Sequence, residues 1–300
     1  MQSPSSPSPP EAVPEKPEKA ALALHGGPGA AAGAVFLAAA GAQRDQIAAL
    51  APEAAKGERV AIHDLRVACR RCREALRVFC GLVGRPAERK AARALRELRR
   101  ACGTTRDLDV AIRALAGASE ADSLVRSRAC ALQAHLSATR EESAREMSRA
   151  LPELARAALA SLAGPLSLLP SSGIPAREIA CRVLSRRARR FERAAARPRD
   201  LHNLHRLRIE TKRLRYTAEI LSELPLGYDA PALDSACRAL QDALGDGRDL
   251  AMAAARLRSL ADLSPEAEAT AQGLEESSRS IHASVVPLVA QVLGAARGFR

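Results

Sequence analysis

The feature that most constrains this chain is a helical segment written twice at one fixed spacing. Ile62 to Phe79 reads IHDLRVACRRCREALRVF, and Leu204 to Leu221 reads LHRLRIETKRLRYTAEIL. His63, Arg66, Arg70, Arg71 and Arg73 each stand 142 residues before His205, Arg208, Lys212, Arg213 and Arg215. A second motif keeps the same interval: GTTRDL from Gly103 and GDGRDL from Gly245. Chance similarity does not hold register across two separate motifs, so the chain contains a duplicated unit. Whatever the fold, it accommodates one helical module twice and finds a use for two basic faces.

The module is helical on its spacing. At about 100° per residue, His63, Arg66, Arg70, Arg73 and Arg77 fall within roughly 80° of arc. Leu65, Cys72, Leu76 and Phe79 lie opposite. The second copy repeats this with His205, Arg208, Lys212 and Arg215 in front and Leu207, Leu214 and Leu221 behind; Glu219 stands where the first copy has Arg77. The rest of the chain follows suit. It is rich in Ala, Leu, Arg and Glu, with no Trp and 2% aromatics, and no sustained alternation of Val, Ile or Thr suggests a strand. The expectation is an all-α protein. Expected helices run at about 35–51, 58–83, 86–101, 105–116, 121–151 and 153–169, then at about 175–197, 199–224, 230–244, 247–261 and 265–297. Residues 1–32 form a disordered Pro/Ser/Ala-rich tail in this reading. Repeat one covers about 33–170 and repeat two about 175–300.

Each basic front extends about 15 Å over ten residues. A solvated face normally mixes Glu with Arg one turn apart, but these stripes are poor in acids, and like charges one turn apart repel. A dry core is excluded as well, since unpaired guanidinium groups cost several kcal/mol each when buried. The arrangement makes sense if anions neutralise it. Further rows add to the charge. Arg44 and Arg186 correspond at the 142-residue interval, as do Arg96 and Arg238, and Arg106 and Arg248 of the RDL motifs. A cation in the first turn of a helix opposes the helix dipole, so Arg106 and Arg248 either pair with a neighbouring Asp or contact an anion.

Net charge is +12, and only five of the 46 basic residues are Lys. Arg favours forked contacts to phosphate or carboxylate, and a surplus of this size implies a polyanionic partner. Proteins that bind single-stranded nucleic acid stack bases on aromatics. Of the six aromatic residues here, only Tyr216 lies near a stripe. A ligand that is all phosphate and no base fits better. Phosphoryl transfer calls for a P-loop or carboxylates that hold Mg²⁺; neither is visible, so no catalytic residue is assigned and the chain is read as a binding protein without a metal or cofactor.

The remaining motifs have structural readings. The seven Cys are scattered, which fits a reducing cytosol. Cys69 and Cys72 share the apolar side of their helix and read as buried residues. Gly103 suits a helix C-cap, Thr104 or Thr105 an N-cap, and Asp107, Asp109, Asp246 and Asp249 a first turn. The run from Ala30 to Ala42 is too short to cross a membrane, and no secretory signal begins the chain. The expected location is cytoplasmic.

The His-x-x-Arg stripe at His63 and at His205, each followed some forty residues later by a Gly-x-x-Arg-Asp-Leu turn, resembles the CHAD family (conserved histidine α-helical domain). The resemblance covers about residues 33 to 297. It implies two pseudo-symmetric four-helix units packed around a basic central cavity. It also implies binding of inorganic polyphosphate and association with polyphosphate granules. The residues that carry over are His63, Arg66, Arg70, Arg71 and Arg73, with His205, Arg208, Lys212, Arg213 and Arg215. Gly247, where the first copy has Thr105, departs from symmetry, as does Glu219. No CYTH triphosphatase domain precedes the helices, so that activity is not expected. The partner expected is inorganic polyphosphate and, by the same chemistry, other polyanions. A nucleic-acid-binding or nucleoid protein is the principal rival, and a polyphosphate-processing enzyme using His63 or His205 is the second.

Overall fold

A computed structural model of the protein describes residues 31–118, 123–167, 174–196, 201–222, 229–258 and 265–299. Eleven α-helices lie within these segments: α1 (Ala32–Ala55), α2 (Arg59–Val78), α3 (Cys80–Val83), α4 (Arg85–Ala101), α5 (Gly103–Ala118), α6 (Ser123–Ser167), α7 (Ala176–Ala195), α8 (Leu201–Ile220), α9 (Ala230–Arg258), α10 (Pro265–Ala283) and α11 (Val285–Ala295). A 3₁₀ turn, Ala296–Phe299, follows α11. No strand occurs among the described residues. The expectation for residues 1–30 lies outside them, but Ala31 pairs with Pro175 and Ala32 is already helical and fully buried.

The 142-residue interval recurs in the helix boundaries. α2 and α8 correspond at both ends, and α6 and α10 begin at corresponding residues. In the first half α1 packs on α2 and α6, and α6 packs on α4 and α5; in the second, α8 packs on α7 and α9, and α9 on α10 and α11. The halves meet where α2 touches α8 and where α5 touches α9. The backs of the two duplicated helices form the core. Leu65, Cys72, Leu76, Phe79, Leu207, Leu214 and Leu221 are all fully buried, and Phe79 meets Phe36 of α1 at 5.8 Å between ring centroids. Burial of this kind contributes roughly 1.5–3 kcal/mol per large side chain. Cys69 and Cys72 belong to the same core; burial pushes the Cys69 thiol up to about 12 and Cys72 higher still.

Several boundaries differ from the sequence reading, each for a local reason. One turn of helix ends α1 at Lys56, and Gly57 takes a positive φ of 88°. Gly84 does the same before α4, with Pro86 in that helix's first turn, where its missing N–H costs nothing. The helices expected at 121–151 and 153–169 are one, α6, which runs through Pro152. Conversely, the single helix expected at 265–297 divides at Ser284.

The RDL motifs require a correction. In the first copy Cys102 is the joint, and Gly103 is the first residue of α5 rather than the cap of α4. Thr105 and Asp109 do not act as capping groups: Thr105 is buried and shares a 2.9 Å hydrogen bond with Ser143. Asp109, also buried, accepts from Arg140 Nε at 3.0 Å and pairs with Arg59 at 3.2 Å, tying α5 to α6 and to the start of α2. In the second copy there is no joint: α9 passes unbroken through Gly245, Asp246 and Gly247. Gly247 is explained by contact. A Cβ there would come within 2.6 Å of His282 Nε2, and the Gly247 carbonyl accepts from the Ser278 hydroxyl at 2.7 Å.

Candidate anion-binding site

The helices α2 and α8 bring their basic fronts to one place because their apolar backs are fixed in separate parts of the core. Arg70 of α2 donates from Nη1 to the Tyr216 hydroxyl of α8 at 2.8 Å. Two guanidinium groups lie near the Tyr216 ring, with Arg70 at 5.7 Å and Arg215 at 5.0 Å from its centroid. Such cation–π contacts contribute about 0.5–2 kcal/mol and keep both cations in a fixed position. Around this point α2 supplies His63, Arg66, Arg70 and Arg73; α8 supplies Arg208, Lys212 and Arg215.

Lys212 is the electrostatic centre. Burial, then Arg208, Arg70, Arg248 and Arg215, pull its ammonium down to about 7. These four arginines come from both halves of the chain. A bound anion favours the charged form of a lysine so placed. The same strain is spread over its neighbours. Arg73 falls to about 10, from burial and then Arg77, Arg96 and Arg99. Arg208 and Arg66 are lowered by burial first, then by Arg248 and Arg99 respectively. His63, at the rim, is lowered by desolvation, then Arg106, with Asp64 opposing and Arg70 and Arg66 adding to the effect. The Nε donors of Arg73, Arg99, Arg208 and Arg215 are buried without a hydrogen-bond partner among the described residues. A buried donor without an acceptor costs about 1–3 kcal/mol.

The RDL turns frame this centre. Arg66 Nη1 donates to the Arg99 carbonyl at 3.0 Å, over the joint between α4 and α5, and comes within 3.5 Å of a Cβ placed on Gly103. A small residue there lets Arg66 lie flat on the joint. Arg106 follows one turn later, and with Arg113, Asp246 and Asp249 it lines a cleft of about 320 Å³ between α5 and α9. Asp249 is raised by burial even though Arg208 and Arg248 favour its charge.

Not every sequence candidate joins the centre. Arg71 is buried and pairs with Glu219 of α8 at 2.5 Å, and Arg213 pairs with Glu210 at 2.5 Å. Arg71 therefore serves the contact between α2 and α8, while Arg213 is taken up one turn away on its own helix, and the stripes are less acid-poor in space than in sequence. Glu219, a departure in the text, is Arg71's partner. Arg77 and Arg186 line a separate cleft described below. Arg44 is exposed and pairs with Asp45, and Arg238 is exposed and bonds Asp234 of its own helix. Arg96 enters only through its field on Arg73 and Arg99. His205 lies exposed near the start of α8. The spacing argument missed Arg99, which lacks a duplicate because residue 241 is Gln. It also passed over Asp249, which capping had seemed to explain.

The CHAD domain family model matches residues 38–258. The chain belongs to the CHAD domain family. The crystal structure of the CHAD domain from the plant Ricinus communis superposes with a TM-score of 0.71 at 24% identity, covering 92% of this chain and 95% of that one. PptA from Streptomyces chartreusis superposes with a TM-score of 0.67 at 17% identity, covering 87% and 99%. At these identities the two structures establish a shared fold. No curated protein matches the sequence. No helix among the described residues of this CHAD protein is long and apolar enough to cross a membrane.

Proposed function

We propose that this CHAD protein binds inorganic polyphosphate in a basic cavity between two pseudo-symmetric helical units, with α2 and α8 as its walls. The observation that carries the reading is Lys212, ringed by Arg208, Arg70, Arg248 and Arg215. The cations come from both repeats and have no carboxylate of comparable number beside them. A flexible chain with one charge per phosphate neutralises such a row without the aromatic platform that bases need. Arg66, Arg73, Arg106 and His63 extend the path on one side. The binding is read as occurring without turnover, in the cytoplasm and on polyphosphate granules.

Competition tests the reading. Labelled long-chain polyphosphate is bound to the full chain, and unlabelled polyphosphate or duplex DNA is added at equal phosphate concentration. Displacement by polyphosphate alone supports the proposal; equal displacement by duplex DNA replaces it with a general nucleic-acid-binding role. Incubation with polyphosphate and Mg²⁺ tests the absence of turnover, which chain shortening or released phosphate contradicts.

A further inference from the structure

A second arginine cleft lies apart from Lys212. It has a volume of about 320 Å³ and is lined by Arg77 of α2, by Val183, Arg186, Arg187 and Arg190 of α7, and by Arg213 of α8. None of these residues is among the four that crowd Lys212. Ion pairs stand beside it where α2 meets α8 and α7: Arg71 with Glu219 of α8, and Glu74 with Arg187 of α7, with Thr217 of α8 also donating to Glu74 at 3.1 Å.

The duplication explains why this cleft is cationic. Arg71 and Glu219 make one part-buried contact between the halves. The residues 142 positions away from each are Arg213 and Arg77. The equivalent contact therefore sets Arg against Arg, and both line the cleft. Where one copy of the contact is closed by a carboxylate, the other is left open with like charges on its walls. Glu210 takes up Arg213, and Glu74 takes up Arg187 and, at 3.5 Å, Arg77. Arg186 and Arg190 have no carboxylate within ion-pair distance among the described residues. Five guanidinium groups, with two carboxylates paired to three of them, thus line a space at the small end of ligand-site volumes, about 300–1,000 Å³.

We infer that this cleft is a second anion site, which takes a compact oligophosphate of about three phosphates rather than a stretch of the long chain. Forked Arg donors from three helices suit the several oxygens of such a group. The inference rests on the polyphosphate reading only for the class of ligand. Its ligand has two sources, a free oligophosphate or the end of a chain seated at Lys212, and the test separates them.

The experiment is calorimetric titration of the full chain with tripolyphosphate and, separately, with long-chain polyphosphate. Three proteins are compared: wild type, Arg190→Glu and Val183→Phe. Arg190 is exposed, so its reversal leaves the core intact; Val183→Phe fills the cleft without changing charge. The expected result is two tripolyphosphate sites in the wild type, one of them weakened about tenfold or more in both variants, a loss of at least one strong ion contact. Long-chain affinity stays within about threefold. A single tripolyphosphate site in the wild type, or two sites untouched by both variants, overturns the inference. So does a parallel loss of long-chain affinity, which makes the cleft the end of the Lys212 path. If the wild type binds no long chain yet keeps a tripolyphosphate site sensitive to Arg190, the proposed function fails and the second site stands.

Discussion

The two copies of the duplicated helix have the same length and the same apolar back, yet they differ at the residues that touch across the halves. Glu74 of α2 corresponds to Tyr216 of α8, and Arg77 to Glu219. Those differing positions make the cross-contacts: Arg70 bonds Tyr216, Arg71 pairs with Glu219, and Arg187 and Thr217 reach Glu74. Were α8 identical to α2, Arg71 would meet an arginine at position 219 in place of Glu219. Divergence turned one set of contacts into complementary pairs and left the other, at Arg77 and Arg213, cationic. Duplication thus governs where the helices run, and the small differences between copies govern which arginines serve packing and which remain for a ligand.

The comparison is broken most severely by removing what the copies do together. Reversing Arg70→Glu and Lys212→Glu in one protein is expected to weaken long-chain polyphosphate binding by more than about 100-fold, since several ion contacts act jointly. Far-ultraviolet circular dichroism should remain that of the wild type, because neither residue is in the core.

Next come the contacts that hold the halves together. Glu74→Gln leaves Arg187 buried without its carboxylate, and loss of one partner of a buried pair costs about 3 kcal/mol or more. A clear fall in the denaturation midpoint is expected, with binding retained in the folded fraction. Arg77→Gln removes a longer and more exposed contact, so its effect should stay below about 1 kcal/mol. A reversed ranking in urea unfolding would show that the divergent positions are not what couples the copies.

The asymmetric pair Arg70 and Lys212 gives a pH dependence. In the free protein Lys212 loses its proton at about pH 7, and a bound phosphate favours the charged form. Binding above pH 7 therefore takes up a proton, and affinity falls by up to about tenfold per pH unit above that point. Below pH 7 the lysine is already charged and this dependence vanishes. Stability changes in the opposite sense. The folded pKa lies below the unfolded one, so Lys212 detracts from stability below about pH 7, and stability is regained as pH rises towards the unfolded value. Lys212→Arg, which does not titrate in this range, should flatten the binding profile in fluorescence anisotropy measured from pH 6 to 9.

The smallest effect concerns the two glycines of the RDL motifs. Gly247→Ala drives a methyl group into the His282 ring and is expected to cost about 1 kcal/mol, net of what alanine contributes to a helix interior. Adding His282→Ala should restore it. Gly103→Ala meets only the end of Arg66 at 3.5 Å and should be near neutral in thermal melts.

Much of this architecture is legible in the text. The period of Leu65, Cys72 and Leu76 identifies the buried back of α2, and the 142-residue interval anticipates that α8 is its counterpart. The pairing of Arg71 with Glu219 is not legible. Helical projection shows which residues share a face, but not which face meets a carboxylate on another helix. The unbroken course of α9 is hidden for a similar reason. Gly245 and Gly247 read as a break, whereas the approach of His282 makes glycine useful inside a helix. Arg99 escaped because duplication was the criterion and its counterpart had changed.

The central claim is that the two copies form one site, and the two single reversals test it most directly. Long-chain polyphosphate affinity is measured for Arg70→Glu and for Lys212→Glu separately. Each is expected to lose about tenfold or more, because each cation lies in the field of the other. If either reversal leaves affinity unchanged while the other abolishes it, a single copy binds alone and the shared site does not exist.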